Sequence, residues 1–221
     1  SHSEANQRIK SNITPEECNS LIGQLFASTN PNNTPNGKKI ISTQSTVNHT
    51  SASRRGMTLE HDINQTNAYY LSTDQAVIHK KPTPVQIVHV DYPRRTAAKI
   101  TEAYFKVPST TDYNGIYKGK YIDFEAKETA SKTSFPFSSI HPHQIEHLKK
   151  VLAHGAIGFF IIRFKAYDET FFVEARKIIP HYLDDQKRSL SYKWFKQEGV
   201  LIPFGLCPSV NYLKVIDQLY F

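Results

Sequence analysis

The sequence predicts a mixed α/β domain built around a central sheet. Three observations carry that reading. Two segments, Thr110 to Tyr117 and Lys120 to Lys127, flank Lys118-Gly119, a two-residue hairpin signal. Ile145, Leu148, Val151 and Leu152 recur at helical spacing. The run Gly158 to Phe164 is almost wholly apolar and β-rich, the pattern of a strand covered on both faces. A helix set between such strands is the signature of sheet-and-helix layers.

The elements follow in order. Pro15 to Phe26 suits a short amphipathic helix, with Thr14 at its N-cap and Glu17 three residues on. Ser28 to Gly37 is a turn-forming linker, and residues 38–55 are polar and rich in Ser and Thr. Residues 1–36 therefore read as a flexible arm and linker, and 37–221 as the folded domain. Met57 to Leu71, with Leu59, Ile63 and Tyr70 as apolar positions, predicts a helix. Ala76-Val77-Ile78 and Val85 to Val90 predict strands, separated by Pro82 and Pro84. Ile100 to Phe105 is extended, and His143 to Ala153 is a helix. Phe171-Phe172-Val173 continues the sheet, and helices are expected after Ile178 and over Tyr212 to Leu219, with Ser189 to Gln197 between them.

Composition narrows the function. The chain has 221 residues, 39% hydrophobic, enough for one substantial core. Its longest apolar run, Ala156 to Ile162, is far short of the roughly 20 residues of a membrane span. No secretory leader is recognisable at the start, and the two cysteines, Cys18 and Cys207, cannot make a disulfide framework. A cytoplasmic setting is expected, with Cys207 a buried thiol. The net charge is +7; residues 1–36 carry two basic and three acidic side chains, which leaves +8 on residues 37–221. Positive charge concentrated on a compact domain suits a polyanion or simply aids solubility.

The chemistry lies in one stretch. On the strand through Ile122 to Lys127, the two-residue period puts Ile122, Phe124 and Ala126 on one face. Asp123, Glu125 and Lys127 fall on the other, with Asp112 one hairpin away. Paired carboxylates suit a hard divalent cation, and a neighbouring lysine offsets developing negative charge. The spacing Asp112-x12-Glu125-x-Lys127 has the shape of the PD-(D/E)xK nuclease motif; it is also the pattern of a solvated strand face. His143 and His147 stand at zinc-like i, i+4 spacing, but no third ligand accompanies them. They suit a helix start and phosphate contact better. Trp194 reads as core or dimer packing.

Several longer motifs go further. His79-Lys80-Lys81-Pro82-Thr83-Pro84, Ala103-Tyr104-Phe105, Ser109 to Gly115, Ile122 to Thr129 and His143-Gln144-Ile145 together closely resemble the RecU family. These are Holliday junction resolvases of low-GC Gram-positive bacteria, also called penicillin-binding-protein-related factor A. The resemblance runs from about Gly56 to the C-terminus and leaves residues 1–36 uncovered. It implies a homodimer with a restriction-endonuclease-like PD-(D/E)xK core: a central mixed sheet flanked by helices, with a protruding stalk at about 91–108. The implied activity is structure-selective cutting of four-way DNA junctions in recombination and repair, with Mg²⁺ or Mn²⁺. Carried over by motif, Thr110, Asp112, Glu125 and Gln144 hold the metal and Lys127 stabilises the transition state. Glu60 matches an early helical acid, although an aromatic residue is expected before it and Leu59 stands there. Lys80, Lys81, Arg94, Arg95 and Lys106 are the expected phosphate contacts. Phe105 is read as a base-stacking platform or as strand core. The rival reading from another class is a non-catalytic junction-binding protein that modulates strand exchange and the recombinase RecA. A nuclease of linear duplex is a third.

Overall fold

The computed structural model describes residues 57–92, 98–106 and 110–221. The expected N-terminal helix and linker, and Arg94 and Arg95, lie outside the described residues. The elements in chain order are α1 (Leu59–Ser72), β1 (Val77–Lys80), β2 (Val85–Asp91), β3 (Lys99–Phe105), β4 (Tyr113–Tyr117), β5 (Lys120–Thr129) and β6 (Ser134–Pro136). A 3₁₀ turn (Phe137–Ser139) and α2 (Pro142–Ala153) come next. Then follow β7 (Ile157–Phe164), β8 (Glu169–Glu174), α3 (Ala175–Tyr182), β9 (Ser189–Ser191), α4 (Tyr192–Glu198), β10 (Val200–Ile202) and α5 (Tyr212–Tyr220). The described residues divide into two compact units, one within residues 78–201 and the other within residues 57–77 and 202–221.

In the larger unit a mixed sheet runs in the order β1-β4-β5-β7-β8-β10. The β4–β5 hairpin turns through Lys118 and Gly119, both left-handed at φ 46° and 74°, the conformation that a tight two-residue hairpin turn requires. Its register pairs Tyr113 with Phe124 and Asn114 with Asp123. β5 and β7 run parallel and are joined through α2, so a helix crosses over the sheet as parallel pairing demands. All eight residues of β7 are buried, as its unbroken apolar sequence predicts.

The two sheet faces are packed differently. One carries a row of rings that stack from strand to strand: Tyr113 on Phe124 at 4.8 Å, Phe124 on Phe159 at 4.7 Å, Phe159 on Phe172 at 4.3 Å. The other face meets α2, α3 and α4 through a core that includes Leu148, Phe160, Ile162, Phe171, Ile178 and Phe195. Gly158 lets α2 come close to that face. A Cβ there would stand 3.2 Å from Leu148 and 3.3 Å from Leu152.

In the smaller unit α1 starts at Thr58, whose side chain accepts from the His61 N–H as an N-cap. Three of its inner polar residues bond within this unit: Thr66 accepts from the Val210 N–H, the Asn67 amide oxygen accepts from the Tyr212 hydroxyl, and the Tyr70 hydroxyl donates to Asn211 at 3.0 Å. Cys207 is half-buried and disulfide-bonded, a correction to the expected buried thiol; the only other cysteine in the sequence, Cys18, lies outside the described residues. Trp194, in the larger unit, packs partly buried against Phe195. Among the described residues no helix is long and apolar enough to cross a membrane.

β2 and β3 form a separate two-stranded antiparallel ribbon. It is nearly all exposed, including Ile87, Val88, Ile100, Tyr104 and Phe105. Strand geometry there is as expected, but the core reading of Phe105 is overturned, since its side chain is 82% exposed.

Candidate active site

The strand period works as expected on β5, but its polar face is not solvated. Asp123 and Glu125 are both fully buried. They are buried for a reason the hairpin supplies: the segment before β4 crosses directly over them. The Asp112 N–H donates to Glu125 Oε2 at 3.1 Å, and the Thr111 hydroxyl donates to Asp123 Oδ1. Asp112 itself is only half-buried, so one acid of the pair is accessible and the other is sealed beneath it.

Glu125 is an unusual carboxylate. Lys127 Nζ stands 2.9 Å from its Oε1, yet that oxygen is buried and receives no well-aligned hydrogen bond. Burial pushes its pKa up to about 7; Asp112 adds to the rise and Lys127 opposes it. A buried carboxylate oxygen with lone pairs to spare beyond its ion pair is where a cation gains most. Hard oxygen donors suit Mg²⁺ or Mn²⁺, so the residues fit the metal that the resemblance implies. Among the described residues no three His, Cys, Asp or Glu side chains gather as a metal site. A cation held here by Asp112 and Glu125 would draw its remaining donors from neutral oxygens.

Thr110 and Gln144 are the expected neutral donors. Thr110 is half-buried two residues before Asp112. Gln144 is buried in the first turn of α2, where its Oε1 accepts from the His141 N–H at 2.9 Å. An amide oxygen has two lone pairs, so one remains. The neighbouring His143 ring is pushed below the ordinary imidazole range, first by burial and then by His141, Lys127 and His147, while Asp112 pulls it back. The opening of α2 thus shares an electrostatic environment with Asp112 and Lys127.

Other expected residues are placed differently. Lys81 is not a free phosphate contact: its ammonium lies 2.9 Å from Asp123 Oδ2 and donates to Thr111 Oγ1 at 3.0 Å. Lys80 is exposed at the end of β1. Phe105 and Lys106 are exposed at the end of the ribbon, where the Lys106 N–H donates to Pro84 O at 3.0 Å. Glu60 is exposed on the first turn of α1, in the smaller unit.

Asp123 was the residue that sequence reasoning left without a role. Besides Thr111 and Lys81, it meets the Tyr121 hydroxyl at 3.0 Å and His147 Nε2 at 2.9 Å. His147 is therefore turned to this carboxylate, which accounts for it without zinc. The only available signal was the shared strand face with Glu125; Lys81 is 42 residues away in sequence.

Known proteins place the chain in a family. Residues 54–218 match the family model of Recombination protein U, RecU. A protein of Oceanobacillus iheyensis named Holliday junction resolvase RecU is 54% identical over 195 residues, which cover 86% of this chain and all of that one. A Bacillus cereus protein of the same name is 52% identical over 172 residues, covering 76% of this chain and 86% of the relative. A solved structure of Archaeoglobus fulgidus Hjc, described as a Holliday junction resolvase, covers 46% of this chain and 78% of that one at 11% identity. Its TM-score of 0.31 is too low to add to the fold described above. With the family model spanning most of its length and full-length relatives more than half identical, this chain belongs to the RecU family.

Proposed function

We propose that this chain is a divalent-metal-dependent endonuclease of the PD-(D/E)xK, restriction-endonuclease-like type that resolves four-way DNA junctions. It acts as a homodimer in the cytoplasm during recombination and repair. The observation that carries the reading is the Asp112–Glu125–Lys127 cluster, with a buried carboxylate oxygen that lacks a hydrogen bond beside an accessible acid. The relatives named as resolvases supply the substrate class.

Asp112, Glu125, Thr110 and Gln144 are the residues that would hold Mg²⁺ or Mn²⁺. When bound, such an ion supplies Lewis acidity toward the scissile phosphate and an activated water. Lys127 keeps a positive charge on the same face of β5, where it can offset negative charge developing on the phosphate. Burial of Glu125 removes competing water from that face, which strengthens every charge interaction made there. Neither group distinguishes a junction from a duplex, because the phosphodiester is the same in both. Discrimination is assigned to the β2–β3 ribbon, the proposed stalk, with Phe105 as a stacking surface and Lys106 as a phosphate contact. Arg94 and Arg95 precede β3 in sequence and belong to the same assignment. Two equal sites related by a dyad match the two-fold symmetry of the substrate.

The test is cleavage of a mobile synthetic four-way junction against linear duplex, with Mg²⁺ and with EDTA. Metal-dependent cutting of the junction alone is expected. Binding without cutting in Mg²⁺ or Mn²⁺ would show a junction-binding protein, and equal cutting of duplex would show a general nuclease.

A further inference from the structure

We infer that Asp123, with Lys81 and His147, is a positioning cluster that fixes the three segments carrying the metal-holding residues. The inference rests on the metal site proposed above and says what sets its geometry.

Asp123 is fully buried and accepts from four side chains drawn from separate parts of the larger unit. Three of these contacts adjoin proposed metal-holding residues. Thr111, which bonds Oδ1, is the residue next to Asp112 and to Thr110. Asp123 itself is two residues before Glu125 on the same strand face. His147 is three residues after Gln144, one turn on along the same side of α2. Lys81 closes the set twice: its ammonium pairs with Asp123, and its backbone N–H donates to the Asp112 carbonyl at 2.7 Å. One carboxylate therefore ties the Asp112 segment, β5 and α2 together.

The chemistry favours positioning over direct ligation. Asp123 Oδ2 already receives an ammonium, a phenol and an imidazole, and Oδ1 a hydroxyl. Its charge is balanced within the protein, by Lys81 at 2.9 Å, so no lone pair stands idle as it does on Glu125. Outer contacts of this kind commonly govern metal affinity or activity by about 10–100-fold.

The experiment measures Mn²⁺ binding to the DNA-free protein by calorimetry, together with junction KM and kcat. Asp123→Asn, Lys81→Met and His147→Ala are expected to weaken Mn²⁺ binding and lower kcat by about 10–100-fold with KM little changed. Lys81 and His147 are each 19% exposed, so those two variants report even if the Asp123 variant fails to fold. His147→Gln keeps a donor within reach and is expected to recover most of what His147→Ala loses; a contribution to folding alone would leave Mn²⁺ affinity of the folded protein untouched. Wild-type Mn²⁺ affinity and kcat in folded Lys81→Met and His147→Ala overturn the inference. Asp112→Asn is the control that separates the two levels. If it too binds Mn²⁺ and cuts normally, the metal-site reading fails; if it alone is inactive, only the positioning cluster fails.

Discussion

The polar face of β5 and the β2–β3 ribbon are both rich in groups that suit DNA chemistry, yet they are built in opposite ways. On β5 the acids are buried, and Asp123 and Glu125 are held by Thr111, Lys81, His147 and the Asp112 backbone. On the ribbon nearly every side chain is exposed, and among the described residues β2 and β3 pair only with each other as strands. A two-stranded ribbon is marginal in water on its own. On the proposed reading, reaction geometry belongs to a region with many buried polar contacts, while substrate choice belongs to a region with little core to hold it. On that reading the two tasks should be separable by mutation.

The largest break is expected on the β5 side. Asp112→Ala or Glu125→Ala should lower junction cleavage by roughly 10²–10³-fold or more, since a charge-stabilising group is lost from a preorganised site; single-turnover rates in Mg²⁺ measure it. Next comes the proton held by Glu125. Its carboxyl is pushed up to about 7 in the native state, so the native state binds more protons than the unfolded chain between the ordinary value of 4.5 and about 7. Metal-free stability should therefore fall as pH rises through that window and level off above it. Glu125→Gln should remove that fall, a difference of at most roughly 3 kcal/mol. Denaturant unfolding in EDTA at pH 5 and pH 8 gives the answer, and parallel slopes for both proteins would contradict it.

On the ribbon side a smaller effect is expected, and only on selection. Phe105→Ala should reduce preference for junction over duplex by about 5–150-fold, the range that base stacking of about 1–3 kcal/mol supports. Mn²⁺ binding and dimer state should be unchanged, as followed by calorimetry and sedimentation. The smallest effect comes from beneath the acids. Gly158→Ala places a methyl against Leu148 and Leu152, side-chain ends that can shift. It should cost about 1 kcal/mol, or roughly 2–4 °C in thermal melting.

What the sequence made legible follows the same division. The β4–β5 hairpin, the fully buried β7 and helix α2 were readable because their periods and turn residues are local. The smaller pieces β6, β9 and β10 carry only three residues each, too few for a period to register. The alternation on β5 placed Asp123, Glu125 and Lys127 on one face, but it could not say that this face is sealed. The burial comes from Thr111 and Asp112 crossing it and from α2 packing close at Gly158. Lys81 read as a phosphate contact for the same reason: its partner Asp123 becomes a neighbour only when β1 enters the sheet beside β4. Phe105 shows the converse, since a core aromatic and an exposed one look identical in a short strand.

Junction selection is assigned to the ribbon and not to the acid site, and competitive binding tests that assignment. Asp112→Ala should be compared with the wild-type protein in competitive binding of a labelled four-way junction against unlabelled duplex, without divalent metal. The separation of tasks predicts that the inactive variant prefers the junction as strongly as wild type. A variant that binds junction and duplex alike would contradict it, because the preference would then depend on the acids and not on the ribbon.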